Sequence, residues 1–411
     1  MKSTAKQSSV LIIVLCWLAY TVAYMGRLNY NAYIEPIRNQ LGASKTELGL
    51  VSSFFFFSYG AGQLLHGILS KKYNPRYSVA AALLGSAAIN LSMAFCTDTG
   101  AMKYLWLLNG FFQSILWSSV IKMLSAQLPD EMLPKAIAVI STPPALGTFL
   151  AYGTAALLSS RAAAYQFVFY LPAVLLSLTG IAWFILTKKA EKLNTDSREA
   201  SYTVPAKKRV SLTPAFVLGA ALLLLAAIAN GFIKDGVTTW TPSILKERYG
   251  MNEALSILVT VILPLIAVAG AWFSTLLHNH WKNTSALNAG LYLAEAGILL
   301  CVMLMAGSTS VKSPSLLIAL FSISALLMSA VNNIITSIIP LYMRDKMESG
   351  LLAGVLDTFC YIGSSLSTGL LGYLSDAYSW NGVFLCLFLF GAAAFLVCTL
   401  SVINRRKEVT V

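Results

Sequence analysis

Continuous apolar runs of about 20 residues, recurring from one end of the chain to the other, constrain its fold more than any other feature. A helix of that length crosses a bilayer core, and only helices or closed barrels satisfy their backbone groups in lipid. The runs do not alternate apolar and polar residues, so helices are predicted and barrel strands are not. Twelve spans are expected, near 9–30, 46–68, 77–96, 102–127, 133–158, 165–187, 212–241, 253–277, 284–306, 314–341, 350–374 and 381–403. Only 11% of the residues are charged, against about 25% in soluble domains, so little of the surface can face water. The basic start followed by an apolar run imitates a secretory signal, but it carries Arg27 and no small-residue cleavage site. It is expected to stay as the first helix.

The net charge of +12 invites a nucleic-acid reading, and the placement of the cations argues against one. With both termini in the cytoplasm, 19 of the 29 Lys and Arg fall in cytoplasmic loops and tails and seven on the opposite side. That is the positive-inside bias of a membrane protein. The expected setting is the cell membrane, the inner membrane if the source is bacterial. The six cysteines form no CxxC or Cys/His cluster, so neither a disulfide framework nor a metal site is expected. No cofactor is implied.

The polar stretch 188–211 is the one long internal loop, and it divides the chain into a bundle over 1–187 and a second over 212–411. A faint repeat supports the division: YGTAALLSSRAAAYQFVFYLP (152–172) and GYLSDAYSWNGVFLCLF (372–388) both run from a helix through a polar turn into an aromatic-rich helix start. The reading is an all-α membrane protein of two pseudo-symmetric six-helix bundles. Pro143, Pro144 and Gly147, then Gly231, Gly236 and Pro242, and Pro264 lie inside spans. They suit either ordinary membrane-helix usage or kinks beside a central cavity.

Charges within spans are costly, by about 2.5–3.5 kcal/mol on insertion scales, so each marks a candidate site. Tyr20, Tyr24, Arg27 and Asn31 follow one helical face of the first span. Asn230, Lys234, Thr238 and Thr241 form a comparable face on the seventh, with Asp235 about 100° away around the helix. Two cations at similar depth, one per bundle, would make an anion site midway between the bundles, where transporters bind substrate. The second span adds Tyr59 and Gln63; the fourth adds Gln113 and Trp117, with Lys122 nearer the cytoplasmic end as a possible gate. Asp235, Glu295 and Asp357 are acids that could carry a proton or pair with a cation. No acid close in sequence to Arg27 lies in the membrane, so Arg27 is expected to lack a counter-charge until an anion binds.

These same segments carry a resemblance. YTVAYMGRLNYNAYIEPI, ELGLVSSFFFFSYGAGQLLHGILSKKYNPR, GFFQSILWSSVIKM and IKDGVTTWTPSILKERYG resemble the organophosphate:phosphate antiporters of the major facilitator superfamily. The resemblance implies that fold and a phosphoryl group held by a cation on the first helix, here Arg27, and one on the seventh. The seventh-helix position carries Lys234 where the family has arginine, a point charge in place of a planar fork. Tyr20, Tyr24, Tyr59 and Trp117 match aromatic positions of the family. Gln63 stands where the glycerol-phosphate carrier has a lysine, Pro144 about where it has a histidine, and Lys71 replaces a loop aspartate. Gln63 is also similar to its counterpart in the anion:cation symporters, which carry sugar acids.

Three functions therefore remain open. The first is a monomeric alternating-access carrier of a small organic anion, a phosphorylated metabolite exchanged for inorganic phosphate. The second is proton-coupled symport of a carboxylate, with Asp357, Glu295 or Asp235 as proton carrier. The third is a membrane sensor that binds the anion without moving it. No P-loop, GxSxG or HExxH occurs, so an enzyme is not expected.

Overall fold

The computed structural model describes residues 2–69, 72–129, 131–193, 213–307, 313–343 and 349–409. Among them every regular element is helical: α1 (Lys2–Ala32), α2 (Ile34–Leu41), α3 (Lys45–Leu69), α4 (Pro75–Phe95), α5 (Thr99–Ser114), α6 (Leu116–Gln127), α7 (Leu133–Ile140), α8 (Pro143–Ser160), α9 (Phe167–Leu193), α10 (Pro214–Tyr249), α11 (Glu253–Thr260), α12 (Ile262–His280), α13 (Thr284–Gly307), α14 (Pro314–Asn333), α15 (Ile339–Tyr342) and α16 (Ser349–Val409). A π-helical turn, Ile334–Ile338, joins α14 to α15.

Ten helical stretches among the described residues are long and apolar enough to cross a membrane. The last, Gly350–Asn404, holds two crossings. As one straight helix it would be about 80 Å long, far beyond a bilayer core, and it turns at Ser379, where φ is 57°. The fourth crossing, α5 with α6, falls short on apolarity for a visible reason. Asn109 and Gln113 are fully buried against α4, Gln113 donating to Ser86 Oγ at 2.9 Å and Ser86 to Asn109 Oδ1 at 2.6 Å. Its polar residues face protein, so it needs less apolar surface to sit in lipid. With these two additions the crossings number twelve. Both turns of the suspected repeat carry a non-glycine residue at positive φ, Ala162 at 47° and Ser379 at 57°.

Several spans are longer or more broken than hydropathy predicts. Hydropathy sees only the part in lipid, whereas helices run on until a cap or breaker stops them. The seventh is expected to end at 241 but continues to Tyr249, where Gly250 closes it in the left-handed conformation that glycine accepts without strain. The sixth continues from 187 to Leu193; the rest of the expected connector, like Lys71, lies outside the described residues. The fifth is two helices, broken at Ser141 and Thr142, with Pro143 and Pro144 opening the first turn of α8, where a missing N–H costs nothing. Asn74 explains the NPR loop: its side chain caps α4 by accepting from Arg76 N at 2.9 Å, and Pro75 starts the helix.

The helices form two bundles of six. They meet along α3 and the first half of α16, where small residues allow close approach. Ser53 Oγ donates to Ser365 O at 2.6 Å, Ser365 Oγ to Ser53 O at 2.9 Å, and Thr358 Oγ1 to Gly60 O at 3.1 Å. Within the second bundle Gly231 and Gly363 let α10 and α16 touch backbone to backbone; a Cβ on either would overlap a carbonyl of the facing helix.

Charges seal the end of the bundles away from the chain termini. Glu247 of the second bundle is the hub: it accepts from Arg38 Nη2 at 2.8 Å, Lys45 Nζ at 2.9 Å and Trp380 Nε1 at 3.0 Å. Asp376 accepts from the backbone and hydroxyl of Thr46, at 2.8 and 2.7 Å. Glu253 accepts from Asn39 at 3.1 Å and Ser159 at 2.9 Å, and also pairs with Lys246. In each group a residue of one bundle grips a residue of the other.

Candidate functional site

Beneath this seal, between the bundles, lies a cavity of about 350 Å³. α1 contributes Tyr24, Arg27 and Asn31; α10 contributes Lys234, Asp235 and Thr238; α16 contributes Asp357 and Tyr361. A second volume of about 220 Å³ shares Tyr24, Pro144, Asp357 and Tyr361 with it. This recess extends to Tyr20, Tyr59, Gln63, Trp117 and Ser141, towards the end where the termini lie. Gly147 explains how α1 comes to present its stripe here. Its bare Cα sits against Thr21 O and the Tyr24 side chain, so α8 packs directly on α1 beside the stripe.

The Arg27 guanidinium lies 3.8 Å from the Tyr24 ring centroid and 5.2 Å from that of Tyr59. Tyrosine faces attract a cation but carry no net charge. Among the described residues no carboxylate comes within 4.0 Å of Arg27. Asn31 is held rather than free: it accepts from Ser52 Oγ at 2.6 Å and donates to Thr239 Oγ1 at 3.4 Å.

The seventh-span face is only partly as expected. Lys234 and Asp235 share the cavity and pair at 3.7 Å, despite their 100° separation, because a lysine stem can swing across that arc. Asp235 also accepts from Ser364 Oγ at 2.5 Å. Thr238 reaches the cavity, whereas Thr241 is buried and bonded to Val237 O at 2.7 Å. Asn230 is buried too, donating to Met328 O at 2.7 Å, so it ties α10 to α14 rather than lining the site.

Of the remaining expected residues, Tyr20, Tyr59, Gln63 and Trp117 do converge. Tyr20 packs on Tyr24 and Trp117 with centroids 5.2 and 5.4 Å apart. Gln113 faces away, into the α4 packing already described. Lys122 lies outside both volumes, its Nζ donating to Tyr73 O at 2.6 Å near the terminal end. Glu295 is fully buried inside the second bundle, accepting from Ser324 Oγ at 2.5 Å, and it touches neither volume. Asp357 lines both volumes and, among the described residues, has no cation within 4.0 Å. Tyr361, 4.7 Å from the Tyr59 ring, was not anticipated. Its position four residues after Asp357 puts it on the same helical face, and that spacing was the available signal.

No cluster of potential metal ligands occurs among the described residues. What the arrangement offers is a charged, aromatic chamber between two rigid bundles. A profile of the Major Facilitator Superfamily matches residues 16–368. The chain is 24% identical to the glycerol-3-phosphate transporter of Bacillus subtilis, covering 94% of this chain and 90% of that one. It is 33% identical over 108 residues to the membrane sensor protein UhpC of Escherichia coli, 26% of this chain and 24% of that one. Among solved structures, a bacterial homologue of the human lysosomal transporter Spinster, inward-facing and occupied, superposes with a TM-score of 0.74 at 13% identity, covering 97% of both chains.

Proposed function

Because this chain belongs to the major facilitator superfamily, and is thus a multi-pass membrane transporter rather than an enzyme, we propose that it exchanges a phosphorylated metabolite for inorganic phosphate by alternating access. The observation that carries the reading is Arg27: a guanidinium between the bundles, stacked on tyrosine and, among the described residues, with no carboxylate within 4.0 Å. Arginine stays charged at all accessible pH, so an anion entering the cavity supplies the partner the protein withholds. The cavity is near the lower end of the roughly 300–1,000 Å³ range of ligand pockets, which favours a small solute. The glycerol-3-phosphate transporter among the relatives points the same way.

With termini in the cytoplasm, as the cation distribution implies, the ion-paired end faces outward and the cavity opens inward. On this reading residues 1–187 and 212–411 are the rocking bundles, 188–211 joins them on the cytoplasmic side, and a monomer suffices. Cysteine labelling of positions 103 and 198 should place them on opposite sides of the membrane; labelling from one side overturns this orientation.

Exchange is tested in liposomes. Phosphate, sugar phosphates and glycerol 3-phosphate should raise the apparent melting temperature of the purified chain by mass action, and uptake of the ester should require phosphate inside. Binding without exchange would assign the chain to the sensors. A second reading, proton-coupled carboxylate symport, rests on Asp357 facing the cavity. It wins if sugar acids stabilise the protein and phosphate esters do not.

A further inference from the structure

The two volumes of the cavity differ in charge. The larger is lined by Arg27, Lys234, Asp235 and Asp357, whose formal charges cancel. The recess is lined by no lysine or arginine, one carboxylate and five aromatic rings. A phosphate ester carries about −1.5 to −2 at neutral pH. Placed at Arg27 alone, it would leave the cavity strongly negative, with the Asp357 carboxylate, which has no cation within 4.0 Å among the described residues, facing it across a space of low dielectric. Asp235 poses no such difficulty, since Lys234 and Ser364 already compensate it.

Resting on the reading of Arg27 given above, we propose that the solute is zwitterionic. Its phosphoryl group meets Arg27 while an ammonium group occupies the recess at Asp357, among Tyr20, Tyr24, Tyr59, Trp117 and Tyr361. Three features of the recess suit an ammonium. Asp357 has no cation of its own within 4.0 Å among the described residues. The rings are close enough to wall a small volume, with Tyr20–Trp117 at 5.4 Å and Tyr59–Tyr361 at 4.7 Å, and aromatic faces attract organic cations, alkylated ammonium above all. Gln63 Oε1 is buried there without a hydrogen-bond partner, ready to accept from an N–H. Among the described residues lining the cavity, the zwitterion brings a cation to the acid that has none within 4.0 Å and an anion to the cation that has no carboxylate within 4.0 Å.

The experiment is calorimetric titration of the purified full chain with phosphocholine, phosphoethanolamine and glycerol 3-phosphate, which share the phosphoryl group and differ in the tail. Phosphocholine and phosphoethanolamine should each bind at least tenfold more tightly than glycerol 3-phosphate. Asp357→Asn should invert the order, weakening phosphocholine tenfold or more and tightening glycerol 3-phosphate, because the carboxylate that attracts one tail repels the other ligand's charge. Equal affinities in the unmutated protein, or a preference for glycerol 3-phosphate, overturn the zwitterion and leave the phosphate reading standing; this holds even if no variant folds. A uniform effect of Asp357→Asn on all three ligands, or no effect on any, shows that the carboxylate does not read the tail and overturns the zwitterion as well. Failure of every phosphate ester to bind the folded protein removes both readings together.

Discussion

Arg27 and Lys234 hold corresponding places in the two bundles, one on the first crossing and one on the seventh, yet their electrostatic situations are opposite. Lys234 brings its own counter-charge, Asp235 at 3.7 Å, on the same helix. Arg27 faces tyrosine rings, with no carboxylate within 4.0 Å among the described residues. The two cations are thus not equivalent halves of a clamp. In the absence of ligand the lysine is compensated, whereas the arginine has the Tyr24 and Tyr59 rings against it. On the proposed reading an anion gains most at Arg27, while its gain at Lys234 is reduced by the aspartate beside it. The lysine is also the weaker partner by geometry, since it offers no planar fork.

The comparison breaks most sharply on Arg27. Hydrogen bonds to charged groups contribute about 1.5–3 kcal/mol, so Arg27→Ala should weaken anion binding about 10- to 100-fold in calorimetric titration. Arg27→Lys should bind at an intermediate level, keeping the charge and losing the fork. Both variants should fold, because a cation without a counter-charge is a burden to the empty structure. Normal binding by Arg27→Ala would mean that the asymmetry has no bearing on ligand.

A smaller effect is expected at the other cation. Lys234→Ala exposes Asp235 to the incoming anion and should weaken binding about tenfold, the equivalent of one charge-assisted contact. Asp235→Asn frees the lysine and should tighten binding severalfold. The double variant should lie between them, and this cycle measures the coupling directly. If Asp235→Asn weakens binding as much as Lys234→Ala does, the pair acts as a unit and the lysine is not held back by its neighbour.

The smallest effect concerns the sealed end, where charges pair between bundles instead of awaiting ligand. Partly exposed ion pairs contribute about 0–1 kcal/mol each. Glu247→Gln, which weakens the contacts to Arg38 and Lys45, should therefore raise the population open at that end by roughly threefold. The readout is modification of a Leu28→Cys reporter in the cavity by an impermeant thiol reagent added from outside. Added salt should raise labelling of the unmutated protein in the same direction, by screening. Unchanged labelling would show that the seal is held by the α3–α16 seam and not by its charges.

Much of the site was readable as a pattern. The stripe Tyr20, Tyr24, Arg27 is a helical repeat, and helical repeats on a buried helix survive into the structure because the backbone periodicity is local. Tyr361 does not stand out in the sequence, because on the eleventh crossing it is the acid Asp357 that is costly in hydrocarbon. Gln113, Asn230 and Thr241 were placed on functional faces, and the structure buries them elsewhere. A polar side chain on a membrane helix can turn towards a cavity or towards a neighbouring helix, and its own helix does not say which. Glu295 is the clearest case: in sequence it is indistinguishable from Asp357, yet one lies inside a bundle and the other lines the cavity.

The sequence by itself determined that the chain crosses a membrane as helices, about how many times, and which residues are too polar for lipid. These are properties of single segments, set by apolar length, by the energetic cost of charge in hydrocarbon and by the cap and turn residues between runs. Only the tertiary structure decided how those polar residues are partnered. The pairing of Lys234 with Asp235, the lack among the described residues of a carboxylate within 4.0 Å of Arg27, and the contacts of Glu247 across the bundles depend on which helices face each other and at what depth. Electrostatic energy falls off with distance, so a change of a few ångströms in that packing turns a compensated ion into a binding site.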